Sequence, residues 1–135
     1  MKDVVVLIGS GSIGQAIARR VGAGKHIVLG DLKIEAAQSA AKILSDAGFE
    51  TSSVAVDISS RESILSVVEH AQKFGAVKNL INAAGVSPSQ APVELILKVD
   101  LYGTAVLLEE FGKVIADGGS GVIISSQSGH RLGAL

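Results

Sequence analysis

The sequence predicts a doubly wound α/β fold, a parallel sheet in the order 3-2-1-4-5 between two layers of helices, and three observations carry that prediction. Its strand-length runs are unbrokenly apolar, Val4-Val5-Val6-Leu7-Ile8 first among them, where a sheet with one wet face would alternate. Segments with apolar residues at helical spacing separate these runs, so strand and helix take turns along the chain. The first strand passes into its helix through Gly9-Ser10-Gly11-Ser12-Ile13-Gly14, a turn that aims backbone N–H groups and a helix dipole at one point.

The elements follow in order. After the glycine turn, Ile13, Ala16, Ile17 and Val21 mark the first helix. His26-Ile27-Val28-Leu29-Gly30 is the second strand and ends in Asp31. Ile34, Ala37, Ala41 and Leu44 form one stripe of a second helix that stops at Gly48, a suitable C-terminal cap. Ser53 to Asp57 reads as a third strand, and Ser59 with Glu62 has the spacing of a capping box for a helix carrying Ile64, Val67, Val68, Ala71 and Phe74. Lys78 to Asn82 is the fourth strand, and a loop holding Pro88 and Pro92 follows. A long helix is expected from Val93 to Asp117, with a break near Lys98, and a fifth strand over Val122 to Ser125. Hardly any polar face remains on that helix, so the region around residues 95–115 is expected to pack on the sheet at one side and on a second copy of the chain at the other, giving a homo-oligomer.

The 135 residues form one domain, 1–135, and 47% hydrophobic residues against 19% charged ones can build its core. Twelve basic and thirteen acidic side chains give no electrostatic footprint for nucleic acid. No apolar run is long enough for a membrane span, so no membrane partner is expected. Cysteine is absent, which excludes disulfides and thiolate-bound metal and is compatible with a cytoplasmic location. His26, His70 and His130 show no metal-ligand spacing, and no metal is expected.

In the glycine turn Gly9 permits the tight bend, Gly11 lets a diphosphate approach the backbone, and Gly14 lets helix and strand pack closely, with Ser10, Ser12 and Ile13 completing the loop. Asp31 lies about 20 residues on, where a dinucleotide-binding (Rossmann) fold places the acid that accepts the ribose hydroxyls. Leu32 beside it is assigned to the same end of the cofactor. No arginine follows Asp31 and its charge repels a 2′-phosphate, so NAD is favoured over NADP, a preference that Lys33 moderates.

Further matches then occur in one order: Asp57 after the third strand, Asn82-Ala83-Ala84-Gly85 after the fourth, Val99-Asp100-Leu101-Tyr102-Gly103 in the long helix, and Ile124-Ser125-Ser126-Gln127-Ser128-Gly129 after the fifth. Together they resemble the short-chain dehydrogenase/reductase family, over all of this chain and about the N-terminal half of that family's usual domain. The resemblance implies that Asp57 and Ile58 receive the adenine ring, that Asn82 to Gly85 support the central strand and line the cofactor, and that Ser126 is the catalytic serine that polarises a substrate carbonyl. Ala83 replaces the family's second Asn, the glycine loop is one residue shorter than the family's, and Asp100 stands where an Asn is usual.

The implied activity is NAD-dependent hydride transfer between nicotinamide and a small alcohol or carbonyl substrate. The family performs it with a Tyr whose pKa is lowered by a Lys four residues later, since a free phenol ionises only near pH 10. Tyr102, the sole tyrosine, is followed at that distance by Val106, so the Tyr–Lys pair is missing and the chain is expected to be part of a longer protein and inactive alone. Two rival readings are a non-catalytic nucleotide-binding or redox-sensing module, and a methyltransferase using S-adenosylmethionine. Asn82 to Gly85 and the Ser126 motif count against the second.

Overall fold

A computed structural model describes residues 2–84, 94 and 97–124. β1 (Val4–Ile8) is the central strand, with all five side chains buried. Successive residues of a strand face opposite ways. Val4, Val6 and Ile8 therefore enter one core, with Ile64, Val67 and Val68 of α3 (Arg61–Gln72) and Val106, Leu107 and Phe111 of α4 (Thr104–Gly112). Val5 and Leu7 enter the other, with Ala18 of α1 (Ser12–Val21) and Ala37, Ala40 and Leu44 of α2 (Ile34–Asp46). Two covered faces explain the unbroken apolar run. β2 (His26–Asp31), β3 (Glu50–Ala55), β4 (Val77–Asn82) and β5 (Ile115–Ile123) complete an all-parallel sheet of order β3-β2-β1-β4-β5, as the sequence predicts.

The expected long helix is corrected. Residues 97–103 form a π-helical turn, α4 ends at Gly112, and the chain is already β-strand at Ile115. Ile115 pairs with Val77 while Ser120 pairs with Asn79, so the glycine-rich segment between them bulges out of the ladder instead of ending a helix. The apolar helix proposed for 95–115 is thus shorter, and only part of that stretch can present an outer face. Val106, Leu107 and Phe111 are buried, while Leu101, Tyr102 and Leu108 are exposed. α3 and α4 are tied by Arg61, which bonds Glu109 at 2.7 Å and the buried Glu110, itself 3.1 Å from Lys113.

The cap of α3 is also shifted by one residue. Ser60, not Ser59, accepts the Ser63 amide at 3.3 Å, because Ser59 is engaged by Asp57.

At the amino end of β2, away from the glycine turn, His26 is buried and stacked on Phe74 at 3.9 Å. Its Nδ1 lies 2.6 Å from the Glu50 carboxylate, which can only accept, so Nδ1 carries a proton. Its Nε2 meets the Ser52 hydroxyl at 2.9 Å, and that hydroxyl meets His70 Nε2 at 3.1 Å. Burial, then the charge of Lys73 and the proximity of His26, hold the His70 pKa below its ordinary value. Protonation therefore favours the unfolded chain. The stability this contributes is complete above the ordinary histidine pKa and is lost as pH falls from there through the folded value. Urea midpoints should accordingly drop between about pH 7 and pH 5, and His70→Gln should flatten that part of the profile. An unchanged slope in the variant would remove His70 as the cause.

Candidate functional site

The carboxyl ends of β1, β2 and β4 meet at the glycine turn. Gly9 has φ +92°, and a Cβ there would lie 2.7 Å from the Ala83 carbonyl carbon and the Ala84 nitrogen. Gly14 has its space filled in the same way, 2.8 Å from the Leu7 side chain and 3.0 Å from the Ala83 Cβ. These two glycines are required by close packing. Gly11 differs, because nothing lies within 4 Å of where its Cβ would be. It precedes α1 with no side chain to cap the helix, and the first turn carries no acid, so the free N–H groups there face outward at the positive end of the dipole. Gln15 pins the loop by donating from Nε2 to the Ser10 carbonyl at 2.6 Å.

Asp31 ends β2 facing that loop. Its Oδ2 accepts the Ser10 amide at 3.0 Å and the Ser10 hydroxyl at 2.6 Å, and its Oδ1 accepts the Lys33 amide at 3.1 Å. Burial works to raise its pKa, but the hydrogen bonds from the Ser10 hydroxyl and from the amides of Lys33, Ser10 and Leu32 outweigh it, and the net direction is downward. The group is therefore a carboxylate throughout the neutral range.

A cleft of about 410 Å³ opens over these residues. It brings together Gly9, Ser10, Gly11, Asp31, Leu32, Asp57, Ile58, Ala83 and Ala84 of the residues chosen from the sequence. Ser12, Ile13, Gly14 and Asn82 stand outside its lining. Asn82 is buried and acts through the backbone, its Oδ1 accepting the Ala84 amide at 3.2 Å, which holds the Ala83–Ala84 wall in place. Asp57 serves its own turn as well, since its Oδ1 accepts both the amide and the hydroxyl of Ser59, at 2.9 and 2.6 Å. Gly85 and Ser126 lie outside the described residues.

Four lining residues are not among those chosen from the sequence: Ile8, Val56, Ser59 and Val99. Val56 could have been found as the last apolar residue before Asp57, at the same strand end. Val99 comes from the π-helical turn, placed by a backbone contact. Gly103 of that turn sits on the Ile58 carbonyl, where a Cβ would lie 2.6 Å from the oxygen. Ile58, Val56 and Val99 give the cleft apolar walls, and Asp31 and the α1 terminus give it an acceptor beside an array of donors, a pattern suited to a flat heterocycle, a diol and a bridging anion. Among the described residues no group of His, Asp or Glu side chains could hold a metal ion.

Residues 8–134 match the protein family described as enoyl-(acyl carrier protein) reductase. The chain is 44% identical over 131 residues to the short-chain dehydrogenase/reductase bsc3 of Alternaria brassicicola, an alignment covering 97% of this chain and 48% of that protein. Its fold is similar to that of a short-chain dehydrogenase/reductase from Burkholderia phymatum solved with NAD, at a TM-score of 0.82, 24% identity, and coverage of 95% of this chain and 50% of that one. An F189W actinorhodin polyketide ketoreductase solved with NADPH gives a TM-score of 0.82 at 25% identity, covering 96% and 55%. The chain thus spans about half the length of these relatives.

Proposed function

Because the chain belongs to the short-chain dehydrogenase/reductase family, we propose that it forms the cofactor-binding part of an NAD-dependent oxidoreductase that moves hydride between nicotinamide and a small alcohol or carbonyl substrate. The observation that carries this reading is the arrangement of the cleft: an uncapped helix start, two glycines whose Cβ positions are already filled, and an ionised Asp31 bonded to the same turn through Ser10, beside apolar walls. The relatives bind NAD in one case and NADPH in the other, and the choice of NAD here rests on Asp31, whose charge opposes a 2′-phosphate.

On this reading the N–H groups at the start of α1 and the Gly9–Gly11 backbone hold the diphosphate, Asp31 orients the ribose, and Leu32, Ile58 and Val99 flank the adenine. NAD when bound would supply the hydride acceptor. Ser126 is the proposed catalytic serine, polarising the substrate carbonyl. The exposed Leu101, Tyr102 and Leu108 favour self-association of the chain, and a cytoplasmic location belongs to the same reading. Among the described residues no helix is long and apolar enough to cross a membrane.

Calorimetric titration tests the binding reading. NAD should bind, and NADP should bind roughly tenfold or more weakly through charge repulsion. Absence of heat with either would overturn it. In a polypeptide that also carries the family's Tyr and Lys, NADH should form with an alcohol, whereas binding without hydride transfer would leave a nucleotide-binding module.

A further inference from the structure

The Asp31 carboxylate already has company. Ser10 supplies two donors to Oδ2, the hydroxyl at 2.6 Å and the amide at 3.0 Å, and the Lys33 amide reaches Oδ1 at 3.1 Å. A carboxylate has about four lone-pair positions; these three bonds take two on Oδ2 and one on Oδ1, and the Leu32 amide makes only the weakest contribution, so one position on Oδ1 stays open to a ligand. The vicinal diol of a ribose brings two donors, so one of those present has to yield. Two of them are backbone amides that cannot turn away: the Ser10 amide follows Gly9, which donates to the Gly30 carbonyl at 2.8 Å and lies against the Ala83–Ala84 backbone, and Lys33 is the residue that precedes α2. The third is a hydroxyl, free to leave by rotation about one bond between staggered wells.

We propose that Ser10 is a specificity-determining residue of this subsite: its hydroxyl holds the Asp31 lone pair that the second ribose hydroxyl must take, so that binding exchanges one for the other. The inference rests on the assignment of Asp31 to the ribose. In the exchange the O–H···O bond from Ser10 to Oδ2 breaks and an equivalent bond from the sugar forms, while the freed Ser10 hydroxyl turns to water. A ribose then gains one bond on the carboxylate, net, and a deoxyribose, which uses the remaining position on Oδ1, also gains one. The protein should therefore distinguish the two sugars poorly, and removing the Ser10 hydroxyl should sharpen the distinction.

The test titrates the protein, Ser10→Ala and Ser10→Thr with AMP and with 2′-deoxy-AMP, checking each variant's fold by circular dichroism. Ser10→Ala should bind AMP roughly ten- to a hundredfold more tightly, the worth of one hydrogen bond to a charged acceptor. Its affinity for 2′-deoxy-AMP should stay unchanged, and Ser10→Thr, which keeps the hydroxyl, should behave as the parent. Equal shifts for both nucleotides would mean a general effect on the loop and would overturn the exchange. So would weaker AMP binding by Ser10→Ala, the result of simple positioning, or binding by the parent with no response to the variant. If the parent and both variants bind neither nucleotide nor NAD, the ribose assignment itself fails and takes the exchange with it.

Discussion

Gly9→Val is expected to cost the fold about 3–5 kcal/mol and to leave no measurable NAD binding. Two terms add. Valine is branched at the carbon that suffers most at φ +92°, and its Cβ would stand 2.7 Å from backbone atoms of Ala83 and Ala84, which Asn82 holds in place. Neither neighbour is the end of a flexible side chain, so the strain has no cheap outlet. A domain of this length has a net stability of roughly 5–15 kcal/mol, and the variant should show a much lower thermal midpoint and urea midpoint. Gly11→Ala is the control that separates fold from binding. It adds its methyl to open space at φ −69°, so its midpoint should match the parent while its affinity for NAD falls. A Gly9→Val protein of parental stability would refute the packing argument.

Asp31→Ala should weaken NAD binding roughly ten- to a hundredfold, the worth of a hydrogen bond to a charged acceptor, and should narrow or erase the preference over NADP. On the proposed reading the carboxylate is both the acceptor for the sugar and the charge that opposes a 2′-phosphate. Its removal also leaves the Ser10 hydroxyl, the Ser10 amide and the Lys33 amide directed at one small space, three donors that a phosphate could use. Paired titrations with NAD and NADP read both effects, and unchanged affinities for the two would dismiss the ribose assignment. In the parent, because the Asp31 pKa is lowered, NAD affinity should hold steady as pH falls to about 5, where an ordinary carboxyl begins to protonate.

What could be read in the sequence was whatever one segment settles by itself. Val4 to Ile8 announces two covered faces without help from the rest of the chain, and Asp31 announces its position by its distance from the glycines. The reading failed where two segments decide jointly. Val114 and Ile115 suit a helix or a strand equally, and only the pairing of Ile115 with Val77 makes them leave the helix. Gly118 to Gly121 reads as loop because bulged strand and loop share the same residues. Ser59 and Ser60 are equivalent as caps until Asp57 engages the first of them. Val99 joins the cleft through Gly103, four residues away and on another strand's doorstep, a relation that no local pattern encodes. The bond from Ser10 to Asp31 is of the same kind, spanning 21 positions of the chain.

The contact of Gly103 with Ile58 sets a mechanical property of the cleft. Val99 and Ile58 line it from one apolar cluster, and the close approach of Gly103 to the Ile58 carbonyl fixes where the turn carrying Val99 can stand. That part of the wall is therefore held by main chain, so it should offer the same apolar surface at every encounter to whatever flat ring enters.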